Sequence, residues 1–293
     1  MQIVVRRSSL LSGEVLVPGA KNSVLKLMAA TLLAEGEYRL TNVPDIADVA
    51  TMCELLTALG MSTQRVSAHE LVLVNSGGIT PIAPFELVDR IRASINLLGP
   101  LLGKYGHVDI AMPGGDDFGS RPIDLHVAGL EAMGAIFDLT RDGVKATATH
   151  LHGAEITLAF PSVGATENIL MAAVLADGVT VIDNVAREPE IGDLCNMLNK
   201  MGAKIAGVGT GKMTITGVTP NELHSVDHEV INDRVQAATY IAAVAVAGGD
   251  VFVRGARAEH MEMLLNRYAE MGVSITPQVD GLRVVATDRL RAI

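Results

Sequence analysis

The 293-residue chain has no tryptophan, few aromatic residues and only two cysteines. Aromatics make up 3% of the residues while hydrophobic types reach 49%, so the core has to be aliphatic, built from Ala, Leu, Ile, Val and Met. Cys53 and Cys195 do not make a disulfide framework in a chain this long, and free thiols in a reducing compartment are expected. The start, MQIVVRRSSLLSGEVLVPG, alternates and carries turn residues where a signal peptide would have an apolar core and a cleavage site. The most apolar stretch, around Ala237–Gly249, is too short and too alanine-rich to span a bilayer. These absences describe a soluble cytoplasmic protein with no membrane partner. A formal charge of −10 argues against nucleic acid as a partner, yet leaves room for a small basic pocket around an anion. Also lacking are a P-loop, a dinucleotide fingerprint and a G-x-S-x-G elbow in their required contexts. His150 and His152, in strand-like text, are without the companion ligands of a zinc site. Neither a metal nor a cofactor is expected.

What is present is a layout that recurs in four stretches: an apolar helix, a glycine, a strand, a loop, and a second helix ending in glycine. The first helices are expected at Ser23–Ala34, Ser94–Gly103, Thr166–Ala176 and Gln236–Ala247, and the strands at Tyr38–Asn42, Val108–Met112, Thr180–Asn184 and Asp250–Arg254. The second helices end at Gly60, Gly134, Gly202 and Gly272, where a left-handed C-cap needs a residue without a Cβ. Strand pairs follow, as in Lys204–Val208 with Lys212–Thr216. The period is roughly 70 residues, longer than common solenoid repeats. Helices as apolar all round as LMAATLL (Leu27–Leu33) belong inside, so the pattern predicts an α/β fold with helices within and strands outside. No Pro- or Ser-rich linker is present, and the polar, His-rich text at Leu223–Val230 is the natural domain crossing.

Four places offer chemistry, each with a plainer alternative. The stretch AMPGGDDFGSRPIDLH (Ala111–His126) is a glycine-broken loop that carries Asp116 and Asp117 and is followed by Arg121; a polar surface turn is the alternative. Lys21, in PGAKNS, opens a helix whose backbone donors suit a phosphate or carboxylate, unless it is a solvated surface lysine. Arg92, after Arg90 and Ile91, opens another, against the helix dipole unless an anion compensates; an ordinary salt bridge is the alternative. PSVGAT (Pro161–Thr166) exposes amides and hydroxyls at a third helix start, or is simply a Ser/Thr cap. If the repeats pack around a common axis, these starts converge, and Lys21, Arg92 and Arg121 form an anion pocket beside the Asp116 loop.

Taken as a set, PGAKN at Pro18–Asn22, RASINLLGPL at Arg92–Leu101, PGGDDFGSRPIDLH at Pro113–His126, PSVGATEN at Pro161–Asn168 and AREPEI at Ala186–Ile191 resemble the UDP-N-acetylglucosamine 1-carboxyvinyltransferase family. Its enolpyruvyl transferases open peptidoglycan synthesis. The resemblance implies an inside-out α/β barrel in two domains. Residues 22–227 would be a complete domain of three repeats, and residues 1–21 plus 228–293 a shortened second domain. It implies transfer of enolpyruvate from phosphoenolpyruvate to the 3-hydroxyl of UDP-N-acetylglucosamine. Lys21, Asn22, Arg92 and Arg121 would hold phosphoenolpyruvate. Arg92, Arg121, Pro122, Ile123, Asp124, Leu125, Pro161, Ser162, Val163 and Gly164 would line the UDP-sugar pocket.

Asp116 falls where most members carry a cysteine that protonates the methylene carbon, so it becomes the catalytic acid and implies resistance to fosfomycin, which alkylates that thiol. Phe160 stands where many members have a lysine near the diphosphate. Members are also longer. The resemblance therefore implies a chain inactive on its own, with a partial domain prone to self-association; the alternatives are a UDP-sugar binder that does not turn over, or an enolpyruvyl transferase for another nucleotide or a shikimate-type acceptor.

Overall fold

The computed structural model describes residues 3–4, 10–112, 114, 122–140, 143–287 and 289–293. The chain divides into a larger unit, Lys21–Val230, and a smaller unit, Met1–Ala20 with Ile231–Ile293.

In the larger unit the elements run α1 (Lys21–Ala30), β2 (Gly36–Thr41), α2 (Ala47–Leu59), β3 (Ser62–Ser67) and β4 (Glu70–Asn75). Then come α3 (Phe85–Val88), α4 (Leu98–Tyr105), β5 (His107–Ala111), α5 (Asp124–Ala132), β6 (Ile136–Leu139) and β7 (Gly143–Thr147). The last group is β8 (Glu155–Thr157), α6 (Val163–Ala173), β9 (Val179–Asp183), α7 (Pro189–Lys200), β10 (Lys204–Ala206), β11 (Lys212–Thr216) and β12 (Asp227–Glu229). The smaller unit holds β1 (Leu11–Leu16), α8 (Arg234–Ala247), β13 (Gly249–Arg254), α9 (Glu262–Met271), β14 (Ser274–Gln278) and β15 (Gly281–Ala286).

The sheets among the described residues share one connection pattern, with orders β12-β2-β4-β3, β5-β7-β6, β10-β11-β9-β8 and β1-β13-β15-β14. In each, the strand after a first helix pairs antiparallel with the last strand of its group, which pairs antiparallel with the middle one. A strand from elsewhere in the chain joins in parallel: β12 on β2, β8 on β9 and β1 on β13. On β5 that role shrinks to one bridge, Ile82 to Asp109.

The helices expected to lie inside do so in the larger unit. Every residue of α1 from Ser23 to Ala30 is buried, as is all of α6 from Ala165 onward. Packing is helix on helix: α1 rests on α2 and α7, and α6 on α4 and α5. Gly99 and Gly103, one turn apart on α4, let the α6 backbone come close; a Cβ at Gly99 would lie 2.2 Å from the Asn168 carbonyl oxygen. The glycine after the second helix takes the left-handed cap read from the sequence, with φ of 114° at Gly60 and 101° at Gly272.

Three local expectations need correction. Ser94–Gly103 is not one α-helix: Arg92–Leu97 is a 3-10 turn, and α4 begins at Leu98. Pro100 has no N–H to give Asn96, so the α-helix starts where proline falls in its first turn and costs no ladder bond. His150 lies in irregular chain rather than a strand, and His152 makes only a bridge to Asp177. The strand from Lys204 stops at Ala206, because Gly207 turns to a φ of 80°. No helix among the described residues is long and apolar enough to cross a membrane.

Candidate functional site

Lys21 is the first residue of α1, and its half-exposed ammonium sits 2.8 Å from the Asp48 carboxylate in the first turn of α2. Asn22 beside it is exposed. The 3-10 turn that starts with Arg92 packs against α1. Of the two arginines read as a pair, Arg90 takes the plain alternative: it grips Glu54 of α2 at 2.5 Å and reaches Thr51. Arg92 is half-buried, and its charge acts on His126. Asp116 and Arg121 lie outside the described residues.

Around α5 the residues divide by exposure. Pro122 and Asp124 are exposed, with Asp124 favourably placed in the first turn of α5, and Leu125 is half-buried. The Ile123 side chain belongs to the apolar core. At the start of α6, Pro161 is exposed while Ser162, Val163 and Gly164 are half-buried. Ser162 is the N-cap, accepting the Ala165 N–H at 3.3 Å. It therefore serves as the helix cap of the plainer reading; the other amides of that first turn still point past it, with the positive end of the dipole.

A residue outside the sequence-derived site joins these helices. Asn168 Oδ1 accepts the Gly99 N–H at 2.7 Å, which fixes its amide, so Nδ2 donates to His126 Nδ1 at 3.0 Å. The His126 hydrogen is then on Nε2. That edge of the ring lies against Gly164, where a Cβ would come within 3.1 Å of Nε2 and 3.0 Å of Cε1. Burial first, and then the Arg92 charge, hold the imidazole down at about 4 against the opposing pull of Asp124. At neutral pH His126 is thus an uncharged, oriented donor beside the α6 N-terminus, with a guanidinium nearby. Such a cluster suits an anion with several oxygens. The sequence signal for it was the PSVGATEN string itself, in which Asn168 follows Gly164 by one helical turn.

Among the described residues no group of three His, Cys, Asp or Glu side chains is placed to hold a metal.

The family model described as EPSP synthase (3-phosphoshikimate 1-carboxyvinyltransferase) matches residues 5–293. The chain belongs to the EPSP synthase family. Its mixed α/β fold is that of solved enolpyruvyl transferases. The enolpyruvyl transferase NikO from Streptomyces tendae superposes with a TM-score of 0.84 at 25% identity, over 97% of this chain and 68% of that one. Two EPSP synthase structures from Acinetobacter baumannii share the fold at TM-scores of 0.67 and 0.69, with identities of 22% and 20%. They cover 93% and 95% of this chain, which spans 63% and 65% of theirs.

Proposed function

We propose that this family member carries out enolpyruvyl transfer from phosphoenolpyruvate to the 3-hydroxyl of UDP-N-acetylglucosamine, the step that commits the sugar to peptidoglycan. The observation that carries the reading is the neutral His126 donor held beside Gly164 at the start of α6, within reach of the Arg92 charge. It supports a multi-oxygen anion such as a diphosphate where Pro161–Gly164 and Arg121–Leu125 would meet the UDP-sugar. Lys21, Asn22, Arg92 and Arg121 would hold phosphoenolpyruvate. In this chemistry the sugar oxygen bonds to C2 of phosphoenolpyruvate as its hydroxyl proton passes to a base. A proton from Asp116 goes to the methylene carbon. The carbon–oxygen bond to phosphate then breaks, and loss of a methyl proton restores the enol ether. Asp116 must start protonated, which requires desolvation and the bound anion to outweigh Arg121. On this reading the larger unit is the complete domain of an inside-out barrel and the smaller unit a partial one.

The test is phosphate release from phosphoenolpyruvate with UDP-N-acetylglucosamine, with Asp116→Ala as control and calorimetry for nucleotide-sugar binding. Release lost in the control supports transfer. Sugar binding without release supports a non-catalytic UDP-sugar binder. No binding at all removes the proposed acceptor. Fosfomycin should cause no time-dependent inactivation, and such inactivation would remove Asp116 from the role of acid.

A second reading, transfer to another nucleotide or a shikimate-type acceptor, is favoured by Phe160. Its exposed ring stands next to Pro161, where many members of the resembled family have a lysine near the diphosphate. Competition between UDP-N-acetylglucosamine, other nucleotides and shikimate 3-phosphate separates the two.

A further inference from the structure

One buried polar chain in the larger unit takes no part in the chemistry above. Ser23, in the first turn of α1, donates to Asp193 Oδ2 on α7 at 2.5 Å, across 170 residues of sequence. The other oxygen of Asp193 accepts from His228 Nε2 of β12 at 2.8 Å. His228 Nδ1 in turn faces Lys200 Nζ at 3.5 Å, so the hydrogen on Nε2 is the one consistent with both contacts. Asp193 and Lys200 are seven residues apart on α7, two turns along one face, and hold the imidazole from both sides. Ser23, Asp193 and His228 are all buried. A carboxylate is kept inside only when its oxygens are satisfied, and here each oxygen has its own donor from a different element.

Ser23 immediately follows Lys21 and Asn22. A helix start is where backbone order is weakest, because the first amides have no partner in the helix. We infer that Asp193 is a positioning residue: by clamping Ser23, with His228 and Lys200 bracing it from behind, it fixes the first turn of α1 and so the direction in which Lys21 and Asn22 are presented. The inference rests on the reading that those two residues meet phosphoenolpyruvate, but the clamp itself is open to a test of its own.

The experiment uses the full chain with Asp193→Asn, and Ser23→Ala as the smaller lesion should the first fail to fold. Amide hydrogen exchange is followed by peptide across the larger unit, and phosphoenolpyruvate and UDP-N-acetylglucosamine affinities are measured in parallel. Loss of one buried charge-assisted bond should speed exchange about ten-fold at Val24–Leu27, whose amides bond back to the carbonyls at the start of α1, while α4 and α6 stay at wild-type rates. Phosphoenolpyruvate affinity should fall about ten-fold with nucleotide-sugar affinity unchanged, and the double variant should be no worse than the worse single one. Unchanged exchange at α1, or faster exchange spread through the whole unit, would overturn the clamp. So would an equal loss for both ligands. If the wild-type chain binds no phosphoenolpyruvate, the reading of Lys21 and Asn22 falls, and the exchange pattern still decides for or against the clamp.

Discussion

The two units contain the same strand pairing and bury very different amounts of helix. In the larger unit α1 is covered on every side from Ser23 onward, and two of its buried residues are polar: Ser23 meets Asp193, and Lys26 meets Glu167 on α6. In the smaller unit α8 buries only Ala237, Ile241, Val244 and Ala245, and α9 buries no residue fully. Val246 of α8 and Met263 of α9 are 83% and 86% exposed. Both units carry surface ion pairs, such as Arg90 with Glu54 in the larger one, but among the described residues the buried pairs belong to the larger unit. The pairs of the smaller unit's sheet, Arg254 with Glu14 and Arg283 with Asp250, lie half-exposed on the surface. Lys26 and Glu167 are 7% and 1% exposed. Sheet topology is therefore compatible with either environment, and the helices' surroundings decide where a charge is a structural commitment.

Breaking the buried pair should give the largest effect. Lys26→Met leaves Glu167 inside without its cation, and thermal or denaturant unfolding should lose about 3–5 kcal/mol. The double change Lys26→Met with Glu167→Leu should recover most of that. If the single change proves harmless, the contrast between the units fails. Glu167 is already pushed up to about 7, chiefly by burial, with Lys26 pulling back and Glu190 and Glu188 adding to the rise. Next, Leu27→Ala in α1 should cost about 2–5 kcal/mol, whereas Met263→Ala in α9 should stay within about 0.5 kcal/mol. A comparable loss at both positions would mean that α9 is covered in solution.

The pH dependence comes next in size. Unfolded, the His126 imidazole titrates near the ordinary histidine value of 6.5; folded, at about 4. Above pH 6.5 both states are neutral and nothing changes. Between 6.5 and 4 the unfolded chain takes up the proton first, so stability falls as pH falls, by roughly 3 kcal/mol in all, and levels off below 4. Melting curves at pH 7 and pH 5 should converge in His126→Gln; an unaltered pH response in that variant would remove His126 from the account. The smallest effect is expected from Arg283→Ala, whose exposed pair should move the melting temperature little and less still at high salt.

Much of the fold was legible because its signals are local. The helix-ending glycines Gly60, Gly134, Gly202 and Gly272 all take positive φ, and the strands that follow the first helices lie within two residues of their expected places. The departures are local too: Pro100 divides a helix that periodicity alone would run together. The candidate site was legible in part. Lys21 and Arg92 do open their elements, but that Lys21 would meet Asp48, and Arg90 meet Glu54, depends on how α2 lies against its neighbours. Ser162 is the α6 N-cap, which is the plainer of the two readings that its sequence context left open.

By itself the sequence determined the element order, the glycine caps, the aliphatic core and membership of the wider enolpyruvyl transferase family, because each follows from periodicity, backbone sterics or motif strings within a few residues. Tertiary structure alone decided which polar groups meet. His126 reaches Asn168 and Gly164 only because α5 and α6 are packed together, and Ser23 reaches Asp193 across 170 residues. Hydrogen bonds require their partners within about 3 Å at the right angle, and a one-dimensional pattern carries no such distance.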